Sequence, residues 1–258
     1  MSDVHAAAQA GFSSEATTYA RGRPEYPGAL VAWLRDKLAL GVGSTAVDLG
    51  AGTGKFTRLL LDTGAQVIAV EPVEAMRLQL AARMPGVRVL AGSAQAIPLP
   101  SGGFDALVCA QAFHWFATAA ALAEIRRILK PGGRLGLVWN VRDESVDWVA
   151  EITRIITPYE GDAPRFHKAE WQQAFTGSGF TGLALDTLAH QHVGSADEVI
   201  LDRFLSVSFI AALTDERKAG VKRALQRLIA THPQLAGRDS IAFPYRTHAY
   251  WCAPRHPG

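Results

Sequence analysis

The sequence predicts an α/β fold: a doubly wound, mostly parallel sheet of seven strands, with an antiparallel edge strand, an N-terminal helical arm and a helical cap inserted before the last strand. Three observations predict it. Short apolar strands alternate with amphipathic helices between residues 45 and 139, the pattern that gives parallel strands joined by right-handed crossovers. One strand runs into three alternating glycines and then a helix, in Val47-Asp48-Leu49-Gly50-Ala51-Gly52-Thr53-Gly54-Lys55-Phe56. After Asn140 the rhythm breaks, and a helical pair over 196–231 separates two long strands.

Each element follows from its period. Arg23-Pro24-Glu25-Tyr26-Pro27 closes an aperiodic arm with two breakers. Residues 28–40 read as a helix, with Leu30, Trp33, Leu34 and Leu38 at helical spacing. Strands are expected at 45–49, 66–70, 87–90, 104–109 and 134–139, with helices at 55–62, 73–83 and 119–129 between them. The continuous apolar run of 104–109 suits a strand covered on both faces. Pro131, Gly132 and Gly133 stop a helix and permit a reversal into the next strand. Beyond 140 a helix over about 144–157, a loop, a short helix over 169–175 and a long edge strand over 181–193 are expected. Two helices over 196–212 and 215–231 follow, with Thr214-Asp215-Glu216 as the cap between them. Alternation of Tyr245, Thr247, Ala249 and Trp251 makes 241–252 the last strand.

Composition narrows the class. A chain of 258 residues, 48% hydrophobic and 19% charged, has the apolar content for one large α/β domain. The net charge of +2 gives no basic run; Arg217, Lys218, Lys222, Arg223 and Arg227 are spaced as a solvated helix face, so no nucleic-acid partner is expected. No apolar stretch reaches the ~20 residues that cross a bilayer, and the N-terminus is no secretory signal, so no membrane partner is expected and the chain reads as cytoplasmic. The two cysteines, Cys109 and Cys252, read as buried free thiols. The eight histidines show no metal-ligand spacing; His190 and His192 share one strand face without nearby cysteines, and no metal site is predicted.

The glycine turn is the sharpest feature. Gly50 lets the chain leave the strand abruptly, Gly52 lets a ligand lie against bare backbone, and Gly54 starts a helix whose free N–H groups face the ligand. A phosphate-binding P-loop needs glycine where Leu49 stands and Ser or Thr where Phe56 stands. A dinucleotide loop needs its third glycine where Lys55 stands. Glu71, at the end of the next strand, lies about twenty residues on, where an acid accepts the hydroxyls of a ribose.

Val47–Thr57 resembles the first motif of the class I S-adenosylmethionine-dependent methyltransferases. Leu90–Pro98, Phe104–Phe116 and Leu129–Leu135 resemble later motifs of the same family, with Ser93 where many members carry aspartate. The match spans roughly residues 43–140. The flanks, FSSEATTYARGRPEYP and FHWF, resemble a bacterial type 11 subgroup of small-molecule methyltransferases similar to trans-aconitate methyltransferase. The resemblance implies a Rossmann-like fold and S-adenosylmethionine as cofactor. It implies an arm and first helix (1–42), a cofactor-binding core (43–141), a segment of helices, edge strand and cap (142–240) and a last strand with tail (241–258), all one methyltransferase domain.

Carried onto this chain, the family's cofactor positions are Tyr19, Asp48, Gly50, Ala51, Gly52, Gly54, Glu71, Pro72, Met76, Ser93, Ala94 and Gln111. Met76 suits an adenine wall and plain core packing equally. The reaction is an in-line displacement that needs positioning, exclusion of water and, for some acceptors, a base. His114, just past the fourth strand, is the candidate catalytic base, or else a histidine packed between Phe113 and Trp115. Arg23, His114, Trp115 and Asn140 are the candidate substrate contacts. An Arg23 that enters the site favours an anionic acceptor such as a carboxylate; Asn140 serves equally well in a local turn bond. A nicotinamide-dependent oxidoreductase and a non-catalytic S-adenosylmethionine-binding protein are the competing readings. A nucleic-acid amino-methyltransferase lacks its Asn/Asp-Pro-Pro-aromatic element at Ala110–Phe113.

Overall fold

A computed structural model of the chain describes residues 23–161 and 164–255. The elements follow the predicted order: α1 (Leu30–Leu38), β1 (Thr45–Leu49), α2 (Lys55–Leu61), β2 (Gln66–Val70), α3 (Glu74–Arg83), β3 (Arg88–Leu90), β4 (Phe104–Ala110), α4 (Ala119–Ile128) and β5 (Leu129–Arg142). α1 buries Leu30, Trp33, Leu34 and Leu38 and ends where Ala39 turns left-handed, φ 54°. α4 begins on Thr118, whose hydroxyl accepts the N–H of Ala121.

The helix-to-strand turn at 129–133 differs from expectation. β5 starts at Leu129, already paired with Phe104, and the register slips before Ala106 pairs with Arg134. Lys130–Gly133 is therefore an irregular stretch inside the strand. A Cβ on Gly133 would stand 2.9 Å from the Lys130 carbonyl oxygen and 3.1 Å from that of Phe104, so only glycine lets the strand close against β4.

The second half contains α5 (Asp147–Ile156), a 3₁₀ segment (Glu170–Phe175), β6 (Ala184–Gly194), a π turn (Asp197–Asp202), short helical turns (Arg203–Leu205 and Ser208–Ala211), α6 (Asp215–Thr231) and β7 (Ile241–Cys252). The single helix expected over 196–212 is thus three pieces. Val199, Ile200, Leu201, Phe204, Val207 and Ile210 are all buried. One unbroken α-helix hides a single stripe, so the chain rewinds to bury them all. On α6, Arg217, Lys222, Arg223 and Arg227 are exposed and Lys218 half-buried.

The seven strands order as β3-β2-β1-β4-β5-β7-β6. β1 to β5 run parallel. β7 runs antiparallel to both β5 and β6, so the reversed strand sits one place inside the edge. α1 and α2 cover one face through Leu34, Leu38, Phe56 and Leu60. α4 and the Glu170–Phe175 segment cover the other through Leu122, Ile125 and Trp171.

β7 also places the cap. Its pairing with β5 begins only at Tyr245, opposite Arg142. Residues Ile241–Pro244 run on past the carboxyl end of β5, where their only strand partner is β6. Ile241 and Phe243 on this overhang join Trp148, Ile152, Ile200 and Phe204 in a second apolar core. The cap is therefore mounted above the carboxyl ends of the strands.

Gly54 is the N-cap of α2 at φ 88°, and a Cβ there would meet Leu80 Cγ of α3 at 2.9 Å. Gly54→Ala is expected to cost roughly 1–3 kcal/mol in urea unfolding, from backbone strain plus overpacking. An unchanged midpoint would show that α2 and α3 are not held this closely.

Candidate active site

The strand order reverses between β1 and β4, which opens a crevice over the carboxyl ends of both. A cleft with a cavity volume of about 160 Å³ lies there, lined by the β1–α2 turn, the end of β2, α3 and the loops after β3 and β4. Gly50 (φ 73°) and Gly52 (φ 57°) are both left-handed. A Cβ on Gly50 would overlap Ala112 Cβ at 2.8 Å, whereas beside Gly52 the nearest atom is Met76 Sδ at 3.9 Å. Gly50 is thus required for packing, and Gly52 leaves bare backbone facing the hollow.

Glu71 points inward and is 5% exposed. One carboxylate oxygen accepts the Gly52 N–H at 2.9 Å and the other accepts the Val73 N–H at 2.9 Å. Each oxygen keeps a second acceptor position. Burial raises its pKa, opposed by these two bonds. Asp48 is fully buried in the cleft wall; its Oδ2 accepts the Thr57 hydroxyl at 2.6 Å, while Oδ1 has no partner. Burial raises its pKa to about 7, with the Glu71 charge acting in the same direction. A buried acceptor left open toward a cleft suits a cationic or N–H group of a ligand.

Ala51, Pro72, Met76, Ser93, Ala94 and Gln111 also line the cleft. Met76 is both core and wall, at 3% exposure. Gln111 is left-handed at φ 56°, a strained state for a non-glycine residue; its N–H donates to the Val138 carbonyl and its side-chain amide to that of Asn140. Gly54 is the exception. It does not line the cleft, and its N–H donates to the Ala51 carbonyl. Its ligand-facing role is corrected to one of helix packing. Lys55 donates to the Arg23 carbonyl and pairs with Glu25 at 2.9 Å, fastening the arm to the turn. Tyr19 lies outside the described residues.

A second chamber of about 150 Å³ adjoins the cleft and shares Arg23, Gln111, Trp115, Asn140 and Arg203 with it. His114 lines this chamber and not the cleft. Its Nδ1 accepts the Trp139 indole N–H at 3.1 Å, and burial lowers its pKa to about 3, helped by the charge of Arg165. The ring is neutral, with its proton on Nε2. Asn140 spends its side chain on structure: Nδ2 donates to the Glu25 carbonyl and Oδ1 accepts the Thr247 hydroxyl at 2.7 Å. Arg142, Arg165 and Arg203 complete the chamber. Sequence reasoning missed these three. Arg203 alone left a trace, as part of an Asp202-Arg203 pair inside an otherwise apolar stretch. No group of three or more metal-ligating side chains occurs among the described residues, and no helix among them is long and apolar enough to cross a membrane.

This strand order, with a glycine turn and an acid facing one crevice, is a Rossmann-like methyltransferase architecture. Residues 47–137 match the family model of the methyltransferase domain. A methyltransferase-like protein of Schizosaccharomyces pombe is 38% identical over 242 residues, spanning 93% of each chain. A Mycobacterium tuberculosis methyltransferase is 36% identical over 249 residues, spanning 92% of each. The chain belongs to this methyltransferase family and is an enzyme. The fold is shared with a type II methyltransferase candidate from Anaeromyxobacter dehalogenans (TM-score 0.63, 23% identity, 91% of this chain and 99% of that one). It is shared too with phosphoethanolamine N-methyltransferase 2 of Haemonchus contortus, solved with S-adenosylhomocysteine (TM-score 0.60, 14% identity, 99% of this chain and 61% of that one).

Asp48 gives a pH test of the cleft. Its carboxyl titrates near 7 in the folded chain against 3.8 unfolded. A raised acid favours folding below the unfolded value, and that contribution is lost as pH rises through 7. Asp48→Asn copies the protonated form. In urea unfolding of the cofactor-free protein its stability advantage should widen between pH 5 and pH 8, with one pKa unit worth about 1.4 kcal/mol. A constant difference between the two chains would contradict the burial of a charge here.

Proposed function

We propose that the chain transfers the methyl group of S-adenosylmethionine to a small-molecule acceptor through an oxygen, nitrogen or carbon nucleophile. In this reading the nucleoside half of the cofactor lies in the cleft and the acceptor in the adjoining chamber. The carrying observation is that the two hollows adjoin over the carboxyl ends of β4 and β5, with Arg23, Gln111, Trp115, Asn140 and Arg203 lining both. That places a donor and an acceptor side by side, which in-line displacement requires.

The cofactor, when bound, supplies a methyl group activated by a positive sulfur. The chain's own residues position and shield. Glu71 holds the ribose hydroxyls with the acceptor positions that Gly52 and Val73 leave open. Asp48 Oδ1 receives the ammonium group of the methionine end. Gly50, Ala51 and Gly52 give close backbone approach, Pro72 and Met76 wall one face of the adenine, and Ser93 and Ala94 meet its edge. Gln111 presents its strained turn toward the reacting end, and Trp115 and Arg23 close the passage into the chamber. The cap on the β7 overhang keeps water out.

His114 takes a different role from the one expected of it. Its Nδ1 is already occupied by Trp139 and its Nε2 carries the proton. A ring so held donates a hydrogen bond and orients the acceptor; it has no free lone pair with which to serve as a base. The nicotinamide alternative finds no support, since Lys55 fills the position of the third dinucleotide glycine and is spent on the arm. We treat the chain as one catalytic unit, with the segment 142–240 building the acceptor side.

Methyl-labelled S-adenosylmethionine incubated with the enzyme and a cell extract should deposit label in the dialysable fraction; label confined to protein or nucleic acid would refute a small-molecule acceptor. Glu71→Ala should weaken cofactor binding in calorimetry by about 1–3 kcal/mol, the cost of hydrogen bonds to a charged group. Unchanged affinity would remove Glu71 from the site. In the labelling assay, His114→Gln, which keeps a donor near Nε2, should stay within about threefold of the native rate, whereas His114→Ala should fall roughly tenfold or more. Equal losses would restore the base.

A further inference from the structure

The chamber that we assign to the acceptor holds more positive charge than methyl transfer calls for. Arg23, Arg142, Arg165 and Arg203 all line it, against a single lining carboxylate among the described residues, Glu144. Arg142 lies 3.6 Å from Glu144, and Arg165 Nε lies 3.3 Å from Glu160 outside the chamber wall. Arg203 has no carboxylate partner among the described residues. It is 8% exposed, and its Nε and Nη1 are buried without hydrogen-bond partners. Arg165 Nη2 is likewise buried and unpartnered. Two guanidinium groups that line one hollow thus carry buried N–H donors without hydrogen-bond partners.

These arginines are placed there by the fold. The π turn Asp197–Asp202 is wider than an α turn, a feature common beside functional sites. It sends Val199, Ile200 and Leu201 into the cap core while Arg203 reaches the hollow. Arg165 is held against the Phe209 ring at 4.4 Å and the Trp115 ring at 5.9 Å. Burial lowers both guanidinium pKa values to about 10, with Arg23 and Arg142 pushing in the same direction, and both groups stay charged at neutral pH. Keeping an uncompensated charge out of water is costly unless a ligand brings the counter-charge.

Resting on the methyltransferase reading, we propose that the acceptor is an acid, gripped through a carboxylate or phosphate group by Arg203 and Arg165 while its reacting atom points past Gln111 and Trp115 into the cleft. Guanidinium forks match both oxyanions in bidentate fashion. His114 Nε2–H and the Trp115 ring complete the wall beside the body of the molecule.

Calorimetry on enzyme saturated with S-adenosylhomocysteine tests this, using succinate, glycerol 3-phosphate and the uncharged dimethyl succinate as probes. At least one anion should bind, and the better one identifies the oxyanion; dimethyl succinate should not bind. Arg165→Gln, which lies outside the cofactor cleft, should weaken the bound anion by about tenfold or more while leaving S-adenosylhomocysteine affinity unchanged. Arg203→Gln should weaken the anion similarly. Free of anion, it should melt no lower than the native chain, because it removes an uncompensated charge, and the anion should no longer raise its melting temperature. Binding of neither anion, or equal binding to native and Arg165→Gln chains, would overturn the inference. So would an Arg203→Gln chain that loses S-adenosylhomocysteine yet keeps the anion, since that assigns the guanidinium to the cofactor. Failure of the native chain to bind S-adenosylhomocysteine would overturn the methyltransferase reading and this inference with it; binding of S-adenosylhomocysteine with no anion effect would overturn this inference alone.

Discussion

The carboxylate of Glu71, held between the N–H groups of Gly52 and Val73, ties the glycine turn after β1 to the end of β2. The shape of the cleft depends on this tie. Two left-handed glycines make the turn possible, but left-handed backbone is permissive and does not by itself choose a direction. The charged acceptor fixes where the Gly52 amide points, and the same bonds keep the carboxylate facing inward. Asp48 completes the floor from within β1, with one oxygen engaged by Thr57 and the other open. Burial raises the cost of ionising both acids, and the Glu71 charge adds to it at Asp48, a burden that stability alone gives no reason to keep. A cleft built around open acceptors is what a cationic, hydroxyl-bearing nucleoside needs.

The same logic with opposite sign governs the neighbouring chamber. There the buried groups are guanidinium ions, and Arg203 among them has no carboxylate partner among the described residues. The two hollows meet at Gln111, Trp115 and Asn140, which belong to both together with Arg23 and Arg203. Gln111 holds a left-handed backbone there, the kind of local strain that persists where the surrounding structure over-determines it. A positively charged donor and an acidic acceptor would each find their complement on their own side of this wall.

Architecture explains how the two sides are brought together. β1 to β5 and their helices build the acidic side from contiguous sequence. The basic side comes from the loop before the Glu170–Phe175 segment, the end of β5 and the turn after the π segment. These are joined because β7 overruns β5 and carries the cap over the crevice. Asn140 braces the junction, linking the arm at Glu25 to Thr247 of β7.

The sequence by itself determined the sheet, the order of its strands and helices, the glycine turn and Glu71, because each depends on a local period or on short-range spacing. Leu30, Trp33, Leu34 and Leu38 announce α1 at 3.6-residue intervals, and three alternating glycines announce a tight turn between strand and helix. Tertiary structure alone decided the rest. It showed that Gly54 packs against Leu80 and does not line the cleft, that the segment after β6 must break into three to bury six apolar residues, and that His114 has its lone pair spent on Trp139. It also gathered Arg142, Arg165 and Arg203 into one hollow from positions up to about sixty residues apart. A charge cluster of that kind has no period and no spacing; it exists only once the chain has folded back on itself, and so no reading along the sequence could have found it.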